Sequence, residues 1–240
     1  MQQKQKFKFT KGDWLTGAAL LMVAPAAILY GVYGLGDRKY YLVSLLLLAC
    51  AILPFFQLFE RRKPQARELV TLAVLCAIAV AGRAAFYMLP QFKPVAAIVI
   101  IAGVCLGAQS GFLVGAVSAF VSNFFFGQGP NTPWQMFAFG IIGLLAGLLF
   151  ERGGLKSGRL NLCIFGGLAT LLLYGGTVNL GTLLISSLPL TMTAYLSVCL
   201  ASLPFDLIHA VASVLFLFFI SQPMIEKLDR IKTKYGLLNP

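Results

Sequence analysis

Polar residues interrupt this sequence only at intervals. Between them run apolar blocks, several of which reach the roughly 20 residues a helix needs to cross a bilayer's hydrocarbon core. Eight spans are predicted, at 14–34, 41–59, 68–89, 95–108, 111–127, 133–150, 160–178 and 204–220. Only 11% of the residues are charged, where a soluble domain carries about 25%. The fold class is therefore all-α, a polytopic membrane helical bundle.

The formal charge of +11 comes from 19 Lys and Arg against 8 Asp and Glu. In a soluble chain that excess would suggest nucleic-acid binding. Here the cations lie in the loops, and no basic, aromatic-interleaved surface remains to track a nucleic acid. Lys4, Lys6, Lys8 and Lys11 open the chain; Arg61, Arg62, Lys63 and Arg67 follow the second span; Arg152, Lys156 and Arg159 follow the sixth; Lys227, Arg230, Lys232 and Lys234 close it. These clusters hold 15 of the 19 cations, and eight crossings put all of them on one side, as the positive-inside rule asks of the cytoplasm. Both termini are expected there. A ninth span within 179–203 would put the last cluster on the wrong face, so that stretch is read as an outer, partly helical loop packed on protein.

The divisions expected are a basic N-terminus at 1–12, two helices and a basic linker at 13–64, a six-helix core at 65–222, and a cytoplasmic amphipathic tail at 223–240. The apolar block after the N-terminus is too long for a signal peptide and lacks a clear cleavage site. Cys50, Cys76, Cys105, Cys163 and Cys199 all lie in apolar blocks without a CxxC pair. They read as small hydrophobes, not as a disulfide framework or a metal site.

Ala73, Ala77, Ala81 and Ala85 recur every four residues and so share one helix face. Such a smooth stripe admits another helix closely, either a partner protein's or a neighbour in this chain. Arg83 points nearly opposite, with Tyr87 on its own face. A charge within a span usually faces protein or a wet cavity; the alternative is snorkelling to the headgroups. Asp206 and His209, the single histidine, share a face at three-residue spacing. They form either a substrate-binding pair or a self-satisfied one. Between two spans, Asn123, Gln128, Asn131, Trp134 and Gln135 combine amides with aromatics, as a pocket for a ring-bearing ligand requires; an interfacial aromatic belt is the other reading. Asn179 and Tyr195 are candidates for the opposite wall.

No Walker GxxxxGK[ST], HExxH or Ser–His–Asp pattern is present, and a lone Asp–His pair is weak evidence for catalysis. No catalytic residue, metal site or cofactor of this chain's own is assigned.

The six-span block from about 68 to 222, the Ala73–Ala77–Ala81 stripe, the loop GQGPNTPWQMFAFGIIGLLAG at 127–147 and the end LPFDLIHAVASVLFLFFISQPMIEKLDRIKTKYG at 203–236 resemble the S components of energy-coupling factor (ECF) transporters. The resemblance covers about the last three-quarters of the chain. It implies a bacterial plasma-membrane subunit that binds a vitamin from outside. Delivery would require a transmembrane T subunit and two ATPase subunits, which use the ATP. It implies further that Ala73, Ala77 and Ala81 meet the T subunit, and that the outer loops and outer halves of the later helices form the pocket. The two N-terminal spans depart from the six-helix pattern.

The expected ligand is a cobalamin-type corrinoid or a precursor, with riboflavin, folate, thiamin, pantothenate and a queuosine precursor open. A stand-alone secondary carrier using Asp206, His209 or Arg83, and a membrane enzyme using Asp206 and His209, are the competing functions.

Overall fold

The computed structural model describes residues 65–151, 154–186 and 188–236. The predicted spans at 14–34 and 41–59 lie outside them. All the regular structure described is helical. Helix α1 is Ala66–Ala85, α2 is Val95–Leu106 and α3 is Ala108–Phe126. Helix α4, Thr132–Ala146, opens on Pro133 in its first turn and widens into a π turn at Gly147–Glu151. Helix α5 runs unbroken over Arg159–Ile185, with a π segment at Ala169–Tyr174. Helix α6 is Met192–Tyr235, 44 residues long.

Five of these six are long and apolar enough to cross a membrane. The exception is α2, whose 12 residues span only about 18 Å. Its sequence, VAAIVIIAGVCL, has no polar face, and a helix apolar all round belongs inside a fold. Eleven of its 12 residues are buried, so α2 is the centre of the bundle, wrapped by protein instead of lipid.

Glycines set how closely the other helices surround it. Gly107, at φ 92°, reverses the chain between α2 and α3 in one residue, a conformation that favours glycine. Beyond that reversal the backbones touch. A Cβ on Gly111 of α3 would strike the Gly143 carbonyl of α4 and the Cα of Gly103 on α2. A Cβ on Gly143 would strike the Gly111 carbonyl in return. Small residues are what permit such approach between membrane helices.

The segment 179–203 differs from the expected loop. α5 continues to Ile185 and α6 starts at Met192, so the connection is only 186–191. Parity is kept because both flanking helices lengthen and no further span forms. Thr191 caps α6, its hydroxyl accepting from the Ala194 amide at 3.2 Å. Nor is the tail a separate helix. α6 passes through Pro223 to Tyr235 and ends at Gly236 in a left-handed cap. At about 66 Å, α6 far exceeds a hydrocarbon core of about 30 Å.

The chain alternates direction, so the bundle has two unlike ends. One gathers the start of α1 with the ends of α2 and α6. There Lys232 Nζ donates to the Cys105 carbonyl at 2.6 Å, a cation on the negative end of α2. Arg67 lies 5.5 Å over the Tyr235 ring, and Lys156, Arg159, Lys227 and Arg230 are exposed near the same end. The other end gathers the close of α1, α3 and α5 with the start of α2, α4 and α6. It holds the candidate site.

Candidate ligand site

Two polar clusters lie at this end, one on each side of an aromatic wall. The first is centred on Arg83, in the last turn of α1. Its Nη1 donates to Ser122 Oγ at 2.6 Å and to Asn123 Oδ1 at 2.7 Å, both on α3. The guanidinium also lies 5.1 Å over the Phe126 ring, a favourable cation–π distance. Asn123 is buried, and its Nδ2 extends the network to α4, donating to Thr132 Oγ1 and Gln135 Oε1 at 2.9 Å each. Arg83 thus faces the protein, and the fold ties three helices to it.

The second cluster joins α5 to α6. Asn179 Nδ2 donates to Ser202 Oγ at 2.7 Å and to Asp206 Oδ2 at 3.0 Å, and Ser202 donates to the same carboxylate oxygen at 2.7 Å. Next to it Tyr195 donates to the Gly176 carbonyl at 3.2 Å. Asp206→Ala is expected to strand Asn179 and Ser202 and to cost about 1–3 kcal/mol of stability. Asp206→Asn should cost less, since it keeps an acceptor. Thermal unfolding in detergent checks the order of the two variants.

Between the clusters stand Tyr174, His209 and Phe139. Tyr174 and His209 pack edge to face at 4.7 Å, and Phe139 lies 4.5 Å from Tyr174 and 5.9 Å from His209. The π segment ends at Tyr174; such segments recur at functional sites. Gly175, next to Tyr174, lies against the Asp206 carboxylate, and Gln135 stands one turn before Phe139 on α4, so both clusters adjoin this wall. Deeper in the bundle, Thr170 donates to Ser213 Oγ at 3.0 Å and holds α5 to α6.

The loop before α2 supplies a second cation. Phe86 and Phe92 pack on Phe216 of α6 at 5.1 and 5.4 Å. Gln91 takes a left-handed φ of 55°, uncommon for a residue with a side chain. Lys93, two residues on, is half-buried. Burial, and then the neighbouring Arg83, hold its ammonium below the usual lysine range.

The sequence candidates divide. Arg83, Asn123, Gln135, Asn179 and Asp206 join the two networks. Trp134 is 3% exposed, packed on Gly181 of α5, where a Cβ would collide with its indole. Asn131 Oδ1, Trp134 Nε1 and His209 Nδ1 are buried without a hydrogen-bond partner. Asp206 and His209 do not form the expected pair, because Asn179 and Ser202 occupy the carboxylate while His209 turns to the aromatic wall. Tyr87 lies beyond the end of α1, exposed and stacked on Phe126 at 5.2 Å. Gln128 is exposed and donates back to the Phe120 carbonyl at 3.0 Å. Sequence reasoning missed Ser122, Thr132, Ser202, Tyr174, Phe139 and Lys93; hydroxyls and aromatics in an apolar span carry no signal until their neighbours are known.

On the α1 face turned from these networks, Ala73, Ala77, Ala81 and Ala85 are all exposed, while Leu72, Leu75 and Ala79 are buried.

Fold and site together define a multi-pass helical membrane protein with two hydrogen-bonded polar clusters at one end. A family model for the substrate-specific component of ECF transporters matches residues 67–221. The chain belongs to that family: it is a substrate-specific transporter component. No curated protein and no solved structure matches it.

Proposed function

We propose that this subunit captures a vitamin-type micronutrient outside the cell and delivers it inward with a T subunit and two ATPases. One observation carries the reading: two hydrogen-bonded polar clusters, of unlike charge, face a common aromatic wall at the end opposite the basic one. The positive-inside rule makes the basic end cytoplasmic, which turns the site outward and leaves both termini inside. Apolar walls with a few fixed polar groups are the usual make-up of a small-molecule site.

The ligand we propose is a cobalamin-type corrinoid or a precursor. Support comes from the amides of Asn123, Asn131, Gln135 and Asn179, which suit an amide-bearing rim, and from Trp134, Phe139 and Tyr174, which suit a ring. The chain purified in mild detergent should carry a small molecule with visible corrinoid absorbance. Mass spectrometry of that molecule decides between corrinoid and flavin. Uptake in vesicles should require the T and ATPase subunits. Uptake by this chain alone, driven by a pH jump, would sink the proposal in favour of a secondary carrier.

A further inference from the structure

Among the described residues, the ligand end holds two half-buried cations and no acid placed to neutralise them. The described partners to which Arg83 donates, Ser122 and Asn123, are neutral. Lys93 is half-buried beside Arg83: the ring of Pro94, the next residue, fills the space a Cβ on Gly82, the residue before Arg83, would need. Among the described residues no salt bridge reaches either cation. Asp206, the described acid at this end, accepts from Asn179 and Ser202. Glu226 and Asp229 belong to the opposite end, and Glu68 to the first turn of α1.

Two like charges drawn together out of water are costly unless something of opposite sign completes them. The Phe126 ring offsets part of that for Arg83. An independent feature points the same way. His209 is 3% exposed, its Nδ1 has no partner, and it stands two turns before Phe216 of α6, on which Phe92, next to Lys93, packs. A buried ring nitrogen normally has a hydrogen-bond partner.

We infer that this end of the site takes an anionic group, a carboxylate or phosphate carried by the ligand, held by Arg83 and Lys93 with His209 beside them. The inference rests on reading this end as the ligand site, but not on the ligand being a corrinoid. Arg83 supplies planar donors suited to an oxyanion, and Lys93 supplies a point charge. The anion would convert a repulsive pair of cations into a bound triad.

The test uses the full chain in detergent. Calorimetric titration compares cobalamin, which carries a phosphodiester, with cobinamide, which lacks it; pantothenate, an anion, is compared with uncharged riboflavin. The wild-type chain should prefer the anionic member of whichever pair binds by about 10-fold or more. Lys93→Gln, in a loop, should erase most of that preference, and Arg83→Lys should retain more of it than Arg83→Gln. A preference within pantothenate and riboflavin alone would remove the corrinoid reading and keep this one. Equal affinity within a binding pair would overturn the inference and leave the transporter role standing. Should no probe bind, the co-purified molecule decides by mass spectrometry: a ligand without carboxylate or phosphate overturns the inference. So does a phospholipid retained by the wild type and lost from Lys93→Gln, since the anion would then be a lipid headgroup.

Discussion

Gly111→Val is expected to lower the yield of folded protein in the membrane sharply. Gly111 lies where α2, α3 and α4 meet, and the atoms its Cβ would strike are backbone: the Gly143 carbonyl and the Gly103 Cα. A side chain can rotate out of a collision, but a helix backbone cannot do so without separating the helices. Overpacking in a core typically costs about 1–3 kcal/mol, occasionally more. With helix backbones on both sides of the site, the upper end or beyond applies, against a typical net stability of about 5–15 kcal/mol. Separating α3 from α4 would also disturb the Asn123 bonds to Thr132 and Gln135, so survivors should lose ligand affinity as well. Size-exclusion profiles of detergent extracts measure this. Gly158→Ala, with open space where its Cβ would stand, is the control and should match the wild type. A monodisperse Gly111→Val peak at wild-type yield would show that this crossing is looser than the packing implies.

Much of that architecture is legible in the sequence, and the exceptions have physical causes. Apolar block length finds the membrane helices because the bilayer imposes it. The all-apolar α2 is visible too, though sequence alone reads it as a short span and not as the wrapped centre. The segment 179–203 is misread for a definite reason. Pro189 and Thr191 look like breakers of structure, yet they stand just before a helix start, where Thr191 serves as the cap. Charge parity counts crossings, and it is blind to how far each helix extends beyond the bilayer. Within the site, charged and amide residues stand out because they are costly in an apolar span. Their pairing does not. The i, i+3 spacing puts Asp206 and His209 on one face, but Asn179 and Ser202 decide what Asp206 bonds to. Lys93 escapes notice because a lysine near a helix start looks like any loop cation until Arg83 is seen beside it.

Ala77→Leu should leave ligand binding intact and strongly weaken complex formation and transport. The basis is the two-faced character of α1. Its inner face is buried through Leu72, Leu75 and Ala79, while Ala73, Ala77, Ala81 and Ala85 form an exposed stripe flanked by exposed Val70, Val74 and Ile78. Lipid gains little from alanine over leucine, so a small-residue stripe facing outward is of use to a helix that comes close. A leucine at Ala77 would stand between that helix and α1. On its own the subunit should hardly register the change, because an exposed substitution usually moves stability by less than about 0.5 kcal/mol. In the complex, the same leucine acts as an overpacked interface residue at about 1–3 kcal/mol, a loss of roughly 5- to 150-fold in association. Arg83 projects from the opposite side of α1, so the site should keep its affinity. Co-purification with the T subunit, calorimetric titration of the isolated chain and vesicle uptake separate these effects. If assembly and uptake survive while the leucine is in place, α1 is not the docking helix. If ligand affinity falls with assembly, the two faces of α1 are coupled and the division of labour between them is wrong.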